Sequence, residues 1–155
     1  QFASPFLLND IEEALDDFGV PAELLELELT ESASMLDPLA TIMIMTQLRH
    51  QGVGLAIDDF GTGYSNLSYL KRFPVHRLKL DQTFVRDIMS DSDDLAISHA
   101  VIAIAHQLNL QVVAEGIETL EQLHILQEAK CDFGQGYLFS VPVPGERCQE
   151  LIGKK

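Results

Sequence analysis

The stretch Gly54-Leu55-Ala56-Ile57-Asp58-Asp59-Phe60-Gly61 decides the fold. Residues 54–57 read as a short buried strand, and two carboxylates follow where that strand should end. The same arrangement recurs on both sides of it. Glu28 lies near the end of Leu25-Glu26-Leu27-Glu28-Leu29. Lys79 and Asp81 straddle Leu80 after Arg77-Leu78. Glu115 closes Gln111-Val112-Val113-Ala114, and Gln135 lies in Asp132-Phe133-Gly134-Gln135-Gly136. Helix-like stretches separate these runs. In a parallel βα sheet all strand C-termini lie on one edge, so Glu28, Asp58, Lys79, Glu115 and Gln135 are expected to converge on one site. Carboxylates and a lysine gathered there can bind hard divalent cations and drive chemistry on a phosphate.

The intervening segments supply the helices. Apolar residues at near-helical spacing predict a helix over 5–18, with Asn9 or Asp10 as a possible late cap, and Gly19-Val20-Pro21 ends it. Asp37-Pro38 marks the next start, with Asp37 as N-cap and Pro38 at the first position, and Gly52 stops that helix. A strand is expected over about 53–57 and a short helix over 66–72. A third strand covers 77–80, a long helix 93–108 and a fourth strand 111–114. Thr119 caps a helix reaching Ala129, with Gln122 in the reciprocal capping-box position. The last strand is expected near 132–134, extending toward 136–138, and a terminal helix over 145–152. Strict alternation implies a parallel sheet covered by helices. Two architectures fit, a doubly wound sheet and a (βα)8 TIM-type barrel. A full barrel takes about 250 residues. This chain has 155 and opens on a helix, so it resembles the last five strands of a barrel.

Composition narrows the function classes. The 155 residues form one unit and carry a net charge of −14, which repels a nucleic-acid polymer. A small phosphate ligand stays possible where cations neutralise part of the site. Cys131 and Cys148 are too few for a disulfide framework and read as ordinary thiols of a reducing compartment. No apolar run approaches membrane-spanning length and no signal peptide opens the chain, so no membrane contact by this segment is expected.

Asp58-Asp59 is the sharpest signal. Adjacent carboxylates repel unless cations bind, and one of them can bridge two metals. A solvated acidic turn capping a helix is the plain alternative. Asp59-Phe60-Gly61 resembles a kinase motif, but no kinase catalytic or glycine-rich loop accompanies it. Lys79 and Asp81 share a strand face, and a lysine within a sheet needs an anionic partner; a structural Lys79–Asp81 pair is the simpler reading. Glu26 and Glu28 share one face, so at least one of them must find solvent or metal. Gly116 lets the backbone approach a ligand closely, whereas Glu118 fits a helix start. Gln135 alone is a weak signal. His50, His76, His99, His106 and His124 read as structural or surface residues. Ser65 and Ser68 lack an adjacent base and are poor nucleophiles.

Together, Leu27-Glu28-Leu29-Thr30-Glu31-Ser32, Asp58-Asp59-Phe60-Gly61-Thr62-Gly63-Tyr64-Ser65, Leu78-Lys79-Leu80-Asp81, Ala114-Glu115-Gly116-Ile117-Glu118 and Gln135-Gly136-Tyr137-Leu138-Phe139 resemble the EAL family of bacterial cyclic di-GMP phosphodiesterases. The resemblance implies a (βα)8-type barrel whose active edge binds two Mg2+ or Mn2+ ions. It implies that Glu28 and Asp58 bind the first metal, with Asp58 bridging. Asp59 binds the second, and Glu115 binds that ion or its water. Lys79 holds the nucleophilic water and Gln135 contacts water or phosphate. Glu31 braces the loop 60–65, including Thr62 and Gly63, which in the family couples dimerisation to metal binding. Glu118 and Asp81 support the site. The implied reaction is in-line attack of activated water on one phosphodiester, giving linear pGpG.

The departures from the family pattern are equally specific. No strand carrying the family's Glu-Ala-Leu motif occurs here, since Glu13-Ala14-Leu15 falls inside the helix expected over 5–18, and Gln1-Phe2 resembles the residues just after the family's asparagine motif, so two metal ligands are missing. The family usually has a basic residue where Val141 precedes Pro142. The resemblance therefore implies a partial EAL domain over residues 1–155, nearly inactive alone and prone to self-association as a homodimer. It implies a bacterial cytoplasmic setting, as the C-terminal part of a larger signalling protein whose membrane attachment is open. A cyclic di-GMP-binding module without catalysis, or an interaction scaffold, are the competing functions.

Overall fold

The structure, a computed structural model, describes residues 2, 4–63 and 67–151. Its helices start and stop where local chemistry dictates. Helix α1 (Leu7–Phe18) ends at Gly19, whose φ of 61° is the left-handed turn that glycine adopts freely. A 3-10 turn, Ala22–Leu24, leads into strand β1 (Glu26–Thr30). The Thr30 hydroxyl accepts from the Ala33 N–H and starts the short helix α2 (Glu31–Ser34). Helix α3 (Pro38–His50) begins with the Asp37 carboxylate accepting from the Ala40 N–H at 3.1 Å. Strand β2 (Gly54–Phe60), helix α4 (Leu67–Leu70) and strand β3 (Arg77–Leu80) follow. Asp81 caps helix α5 (Gln82–Arg86), and Asp91 caps helix α6 (Ser92–Gln107). After strand β4 (Gln111–Ala114), Thr119 and Gln122 form both halves of a capping box on helix α7 (Leu120–Glu128). Strand β5 (Phe133–Gly134) and helix α8 (Gly145–Leu151) complete the described chain.

Several boundaries differ from the sequence expectation. Helix α1 starts after Phe6 with no side-chain cap, so neither Asn9 nor Asp10 caps it. Strand β2 continues through Asp58 and Asp59 to Phe60 instead of stopping at Ile57. Helices α2 and α5 were not anticipated, because four or five residues are too few to show a helical period. Strand β5 is two residues long and does not extend past Gly134, since the backbone turns at Gly136 against Ile117. Asn66 and Ile152, each at one end of an expected helix, lie outside the described residues, as do Gln1, Tyr64 and Ser65.

All five strands are parallel and lie in the order β1-β2-β3-β4-β5. A doubly wound sheet reverses its strand order at a switch point, and this one does not; the arc is that of a barrel wall. Side chains alternate across the strands. One face carries Leu29, Leu55, Ile57, Leu78, Leu80, Val112 and Ala114, all buried in one core with Met45 and Leu48 of α3 and Val101, Ile102 and Ala105 of α6. Each Leu, Ile, Val or Met side chain among them contributes about 1.5–3 kcal/mol by leaving water. The other face carries Glu26 and Glu28, Arg77 and Lys79, then Gln111 and Glu115. The chemistry lies on that polar face. Among the described residues no helix is long and apolar enough to cross a membrane.

Candidate metal centre and active site

The two adjacent aspartates reach one place because the strand is irregular. Strand β2 pairs with β3 as Ile57 opposite Leu78 and then Phe60 opposite Leu80, so Asp58 and Asp59 together oppose Lys79. Adjacent residues of a regular strand point to opposite faces. Here the extra residue forms a bulge, and Asp59 takes φ 54°, a left-handed conformation that a non-glycine residue rarely adopts. The bulge brings carboxylate oxygens of Asp58, Asp59 and Glu115 within 4.8 Å of one another. That separation lets one cation touch all three residues.

Lys79 sits beneath this group and is buried, 6% exposed. Its ammonium lies 2.6 Å from Glu28 Oε2, 2.7 Å from Glu115 Oε1 and 3.0 Å from Asp58 Oδ1. Burial alone would lower its pKa. The three carboxylates, Glu115 first, outweigh burial and hold Lys79 above its ordinary range. In this arrangement Lys79 is a proton donor and a fixed positive charge, which suits orienting a water better than deprotonating one. Asp81 is not among its ion-pair partners. It turns away to cap α5, accepting from the Thr83 N–H at 2.9 Å.

Two of the carboxylates at the site, Glu115 and Asp59, are raised. Burial pushes Glu115 up most, with Asp58 and Glu28 adding to it while Lys79 opposes. Asp59 is pushed up by burial first, then by the neighbouring Asp58 and Asp81 carboxylates, with Lys79 opposing. Asp58 Oδ1 is buried and, although 3.0 Å from the ammonium, has no hydrogen bond of acceptable direction. A buried carboxylate oxygen with a free lone pair is costly unless a further ligand takes it. Crowded acids, raised proton affinities and this orphaned oxygen fit an oxygen-binding divalent cation.

The remaining expected site residues take distinct places. Glu28 joins the cluster through Lys79 rather than directly, since the close oxygen set is Asp58, Asp59 and Glu115. Glu31, 2% exposed, accepts from the Gly61 N–H at 3.0 Å and the Gly63 N–H at 3.4 Å. The Thr62 hydroxyl donates to the Asp59 carbonyl at 2.8 Å, so the described part of this loop is tied to the bulge at one end and to Glu31 at the other. Gln135 is exposed and lines a cleft of about 250 Å³ beside Glu115, together with Gln82, Glu118 and Tyr137. Gly116 adopts φ 69° there, and a Cβ on it would lie 2.6 Å from Gln82 Cβ. The Glu118 side chain is exposed, and its N–H donates to Gln122 Oε1 at 2.8 Å.

Sequence reasoning missed Gln82 and Tyr137 in the cleft, and it missed Arg77. Glu28 is exposed, as expected of at least one member of the Glu26 and Glu28 pair, and both also have cationic partners. Glu28 meets Lys79, and Glu26 meets Arg77 at 2.9 Å and His76 at 2.7 Å. The signal was present, because Arg77 and Lys79 alternate on one strand face just as Glu26 and Glu28 do.

A family model for the EAL domain matches residues 1–142. The chain belongs to the EAL domain family. The cyclic di-GMP phosphodiesterase NbdA of Pseudomonas aeruginosa is 47% identical over 146 residues, covering 94% of this chain and 19% of that protein. The signaling protein YkoW of Bacillus subtilis is 44% identical, covering 98% of this chain and 19% of that protein. The chain therefore spans about a fifth of the length of these relatives. Among solved structures, the PaMucR phosphodiesterase in complex with c-di-GMP superposes with a TM-score of 0.93 at 44% identity, covering 95% of this chain and 60% of that one. The manganese and cyclic di-GMP complex of Klebsiella pneumoniae BlrP1 gives a TM-score of 0.83 at 36% identity, covering 91% of this chain and 36% of that one. The expected barrel-type fold is thus borne out by the sheet and by these neighbours.

Proposed function

We propose that this chain is the C-terminal, ligand-rich part of an EAL phosphodiesterase domain that hydrolyses cyclic di-GMP to linear pGpG with Mg2+ or Mn2+. The observation that carries the reading is the bulge at Asp58-Asp59, which sets two adjacent carboxylates and Glu115 within reach of one cation above Lys79. Bound divalent cations would supply a nucleophile at neutral pH and offset phosphate charge. Asp58, central between Lys79 and Asp59, would bridge. Lys79 would hold the attacking water by donating to it, and Glu28 would keep the Lys79 ammonium oriented. Glu115, whose proton affinity is raised, would accept hydrogen bonds from that water. Water oxygen bonds to phosphorus, one P–O3′ bond breaks, and the departing 3′ oxygen gains a proton. Gln135 and Gln82 in the adjoining cleft would contact phosphate or base edges of the dinucleotide.

The phosphodiesterase names and the manganese and c-di-GMP complexes among the relatives support this substrate and this metal class. The chain would act inside a larger bacterial signalling protein in the cytoplasm, and the exposed Leu36, Leu39 and Met43 support a homodimer. The test is Mn2+-dependent hydrolysis of cyclic di-GMP by the protein that carries this chain, read as pGpG by chromatography. Asp58→Asn should abolish turnover, by several orders of magnitude on the order expected for a bridging ligand, while Gln135→Ala keeps measurable activity. Near-normal hydrolysis by Asp58→Asn at saturating Mn2+ would refute the metal role.

A further inference from the structure

We propose that Arg77 is a positioning residue, which sets the arc of the sheet one layer below the site and so holds Glu28 against Lys79. The proposal rests on the metal-centre reading above, and it concerns a residue outside the cluster. Arg77 precedes Lys79 by two residues on β3, and Glu26 precedes Glu28 by two on β1, so each lies one pleat period, about 6.6 Å, toward the strand N-termini on the same face. Arg77 Nη1 donates to both Glu26 oxygens, at 3.1 and 2.9 Å, and Nη2 donates to Gln111 Oε1 at 3.3 Å. The guanidinium also lies over the Phe133 ring, 5.0 Å from its centroid. One side chain thus ties β3 to β1, β4 and β5.

The fourth neighbouring strand, β2, leaves room for this. Gly54 pairs with Glu26, and a Cβ on Gly54 would lie 3.4 Å from Glu26 Cβ and 3.1 Å from the His76 ring. The Leu55 N–H donates to His76 Nδ1, so the ring proton lies on Nε2, which donates to Glu26 Oε2 at 2.7 Å. Glu26 is therefore fixed from two sides. The layer above repeats the span: Glu28 crosses β2 to reach Lys79. A carboxylate on β1 and one just after β4 both touch the Lys79 ammonium, so this layer spans four strands, and the curvature of a barrel wall shortens that span. The Arg77 layer supplies a fixed chord across the same strands. Its connection to the site is mechanical, through β1, because the ion pairs recorded for Arg77 and Lys79 share no residue.

The experiment compares the chain with Arg77→Met, Arg77→Lys, Glu26→Gln and the double variant Arg77→Met/Glu26→Gln. Three readouts are taken: the melting curve, the 1H–15N signal of the Lys79 ammonium without metal, and Mn2+ affinity. Slow exchange of the ammonium reports its enclosure by three carboxylates. Arg77→Met and Glu26→Gln should each lose the slow signal and weaken Mn2+ binding by about tenfold, the scale found when residues supporting ligands are removed. The double variant should be no worse than the poorer single, since the two residues act as a unit. Arg77→Lys, which keeps the charge and loses the planar fork, should fall between them. A lowered melt with an unchanged ammonium signal and unchanged Mn2+ affinity would make Arg77 merely structural and overturn the proposal. Should Arg77→Met fail to fold, Arg77→Lys decides, and parent-like signals in it overturn the proposal equally. A parent chain that binds no Mn2+ would overturn the metal reading alone, because loss of the ammonium signal in Arg77→Met would still uphold the role of Arg77.

Discussion

Glu28 and Lys79 meet at 2.6 Å although strand β2 runs between their own strands. The contact passes over β2, where the small residues Ala56 and Gly54 stand on the same face. Among the described residues, Lys79 is the one cation that Glu28, Asp58 and Glu115 share.

Lys79→Met should therefore leave several acids facing one another. Without metal the variant should lose about 3 kcal/mol, the scale for removing one partner of a buried ion pair. Mn2+ should recover more of the melting temperature in this variant than in the parent, because the ion then supplies the missing charge. Calorimetric melts with and without Mn2+ check this, and a metal-free melt equal to the parent's would sink it.

Glu31 makes a second testable contact. Its buried carboxylate accepts from the Gly61 and Gly63 N–H groups, and Thr62 returns a hydrogen bond to Asp59. Glu31→Ala should cost about 1–3 kcal/mol by leaving donors unsatisfied. The amides of Gly61 and Gly63 should then exchange faster with solvent while those of Leu55 and Ile57 stay protected. Unchanged loop exchange in a folded variant would remove Glu31 from the support of the bulge.

Features set by neighbours in sequence were legible before any coordinates. Asp37-Pro38 and Thr119-Gln122 start helices through bonds within four residues, so their chemistry is written locally. The convergence of Asp58, Lys79 and Glu115 was legible too, because parallel topology alone puts strand ends on one edge. The bulge was not. It depends on how Asp58 and Asp59 register against Lys79 of another strand, and a left-handed aspartate carries no local signature. The Glu26–Arg77 pair escaped for the same reason, since its members stand on strands separated by β2 and no local signal shows which strands neighbour one another.

Asp132 gives a pH dependence away from the cluster. Burial raises its proton affinity, but the His106 ring at 2.9 Å and the Val112 N–H at 2.8 Å outweigh this and hold the carboxyl below its ordinary value. A depressed folded-state pKa stabilises the protein above the unfolded value, near 3.9, and that contribution is lost as pH falls through the folded value. Asp132→Asn should thus be less stable than the parent at pH 6 to 7, by about 0.5–1 kcal/mol, since solvent screens an exposed pair. The gap should close progressively below about pH 4. A gap that is constant from neutral to acid pH would show that the charge of Asp132 contributes nothing.

Self-association is the last expectation. Strand β1 pairs only with β2 among the described residues, so its far edge presents unpaired backbone groups. Close by, Leu39 and Met43 on α3 and Leu36 just before it are 58%, 69% and 87% exposed. A groove of about 240 Å³ formed by Phe2, Ala33, Ala40 and Ile44 runs beside them. Scattered apolar residues are ordinary on a surface, but a contiguous stripe beside an apolar groove and an open edge favours burial against another chain. The chain should sediment as a dimer or larger species. Leu39→Glu with Met43→Glu should shift it toward monomer without lowering its melting temperature, since both side chains already face water. Light scattering that shows a monomer for the parent at its highest soluble concentration would end this expectation. A double variant that remains associated would move the contact from α3 to the β1 edge, where Glu28→Pro is the probe.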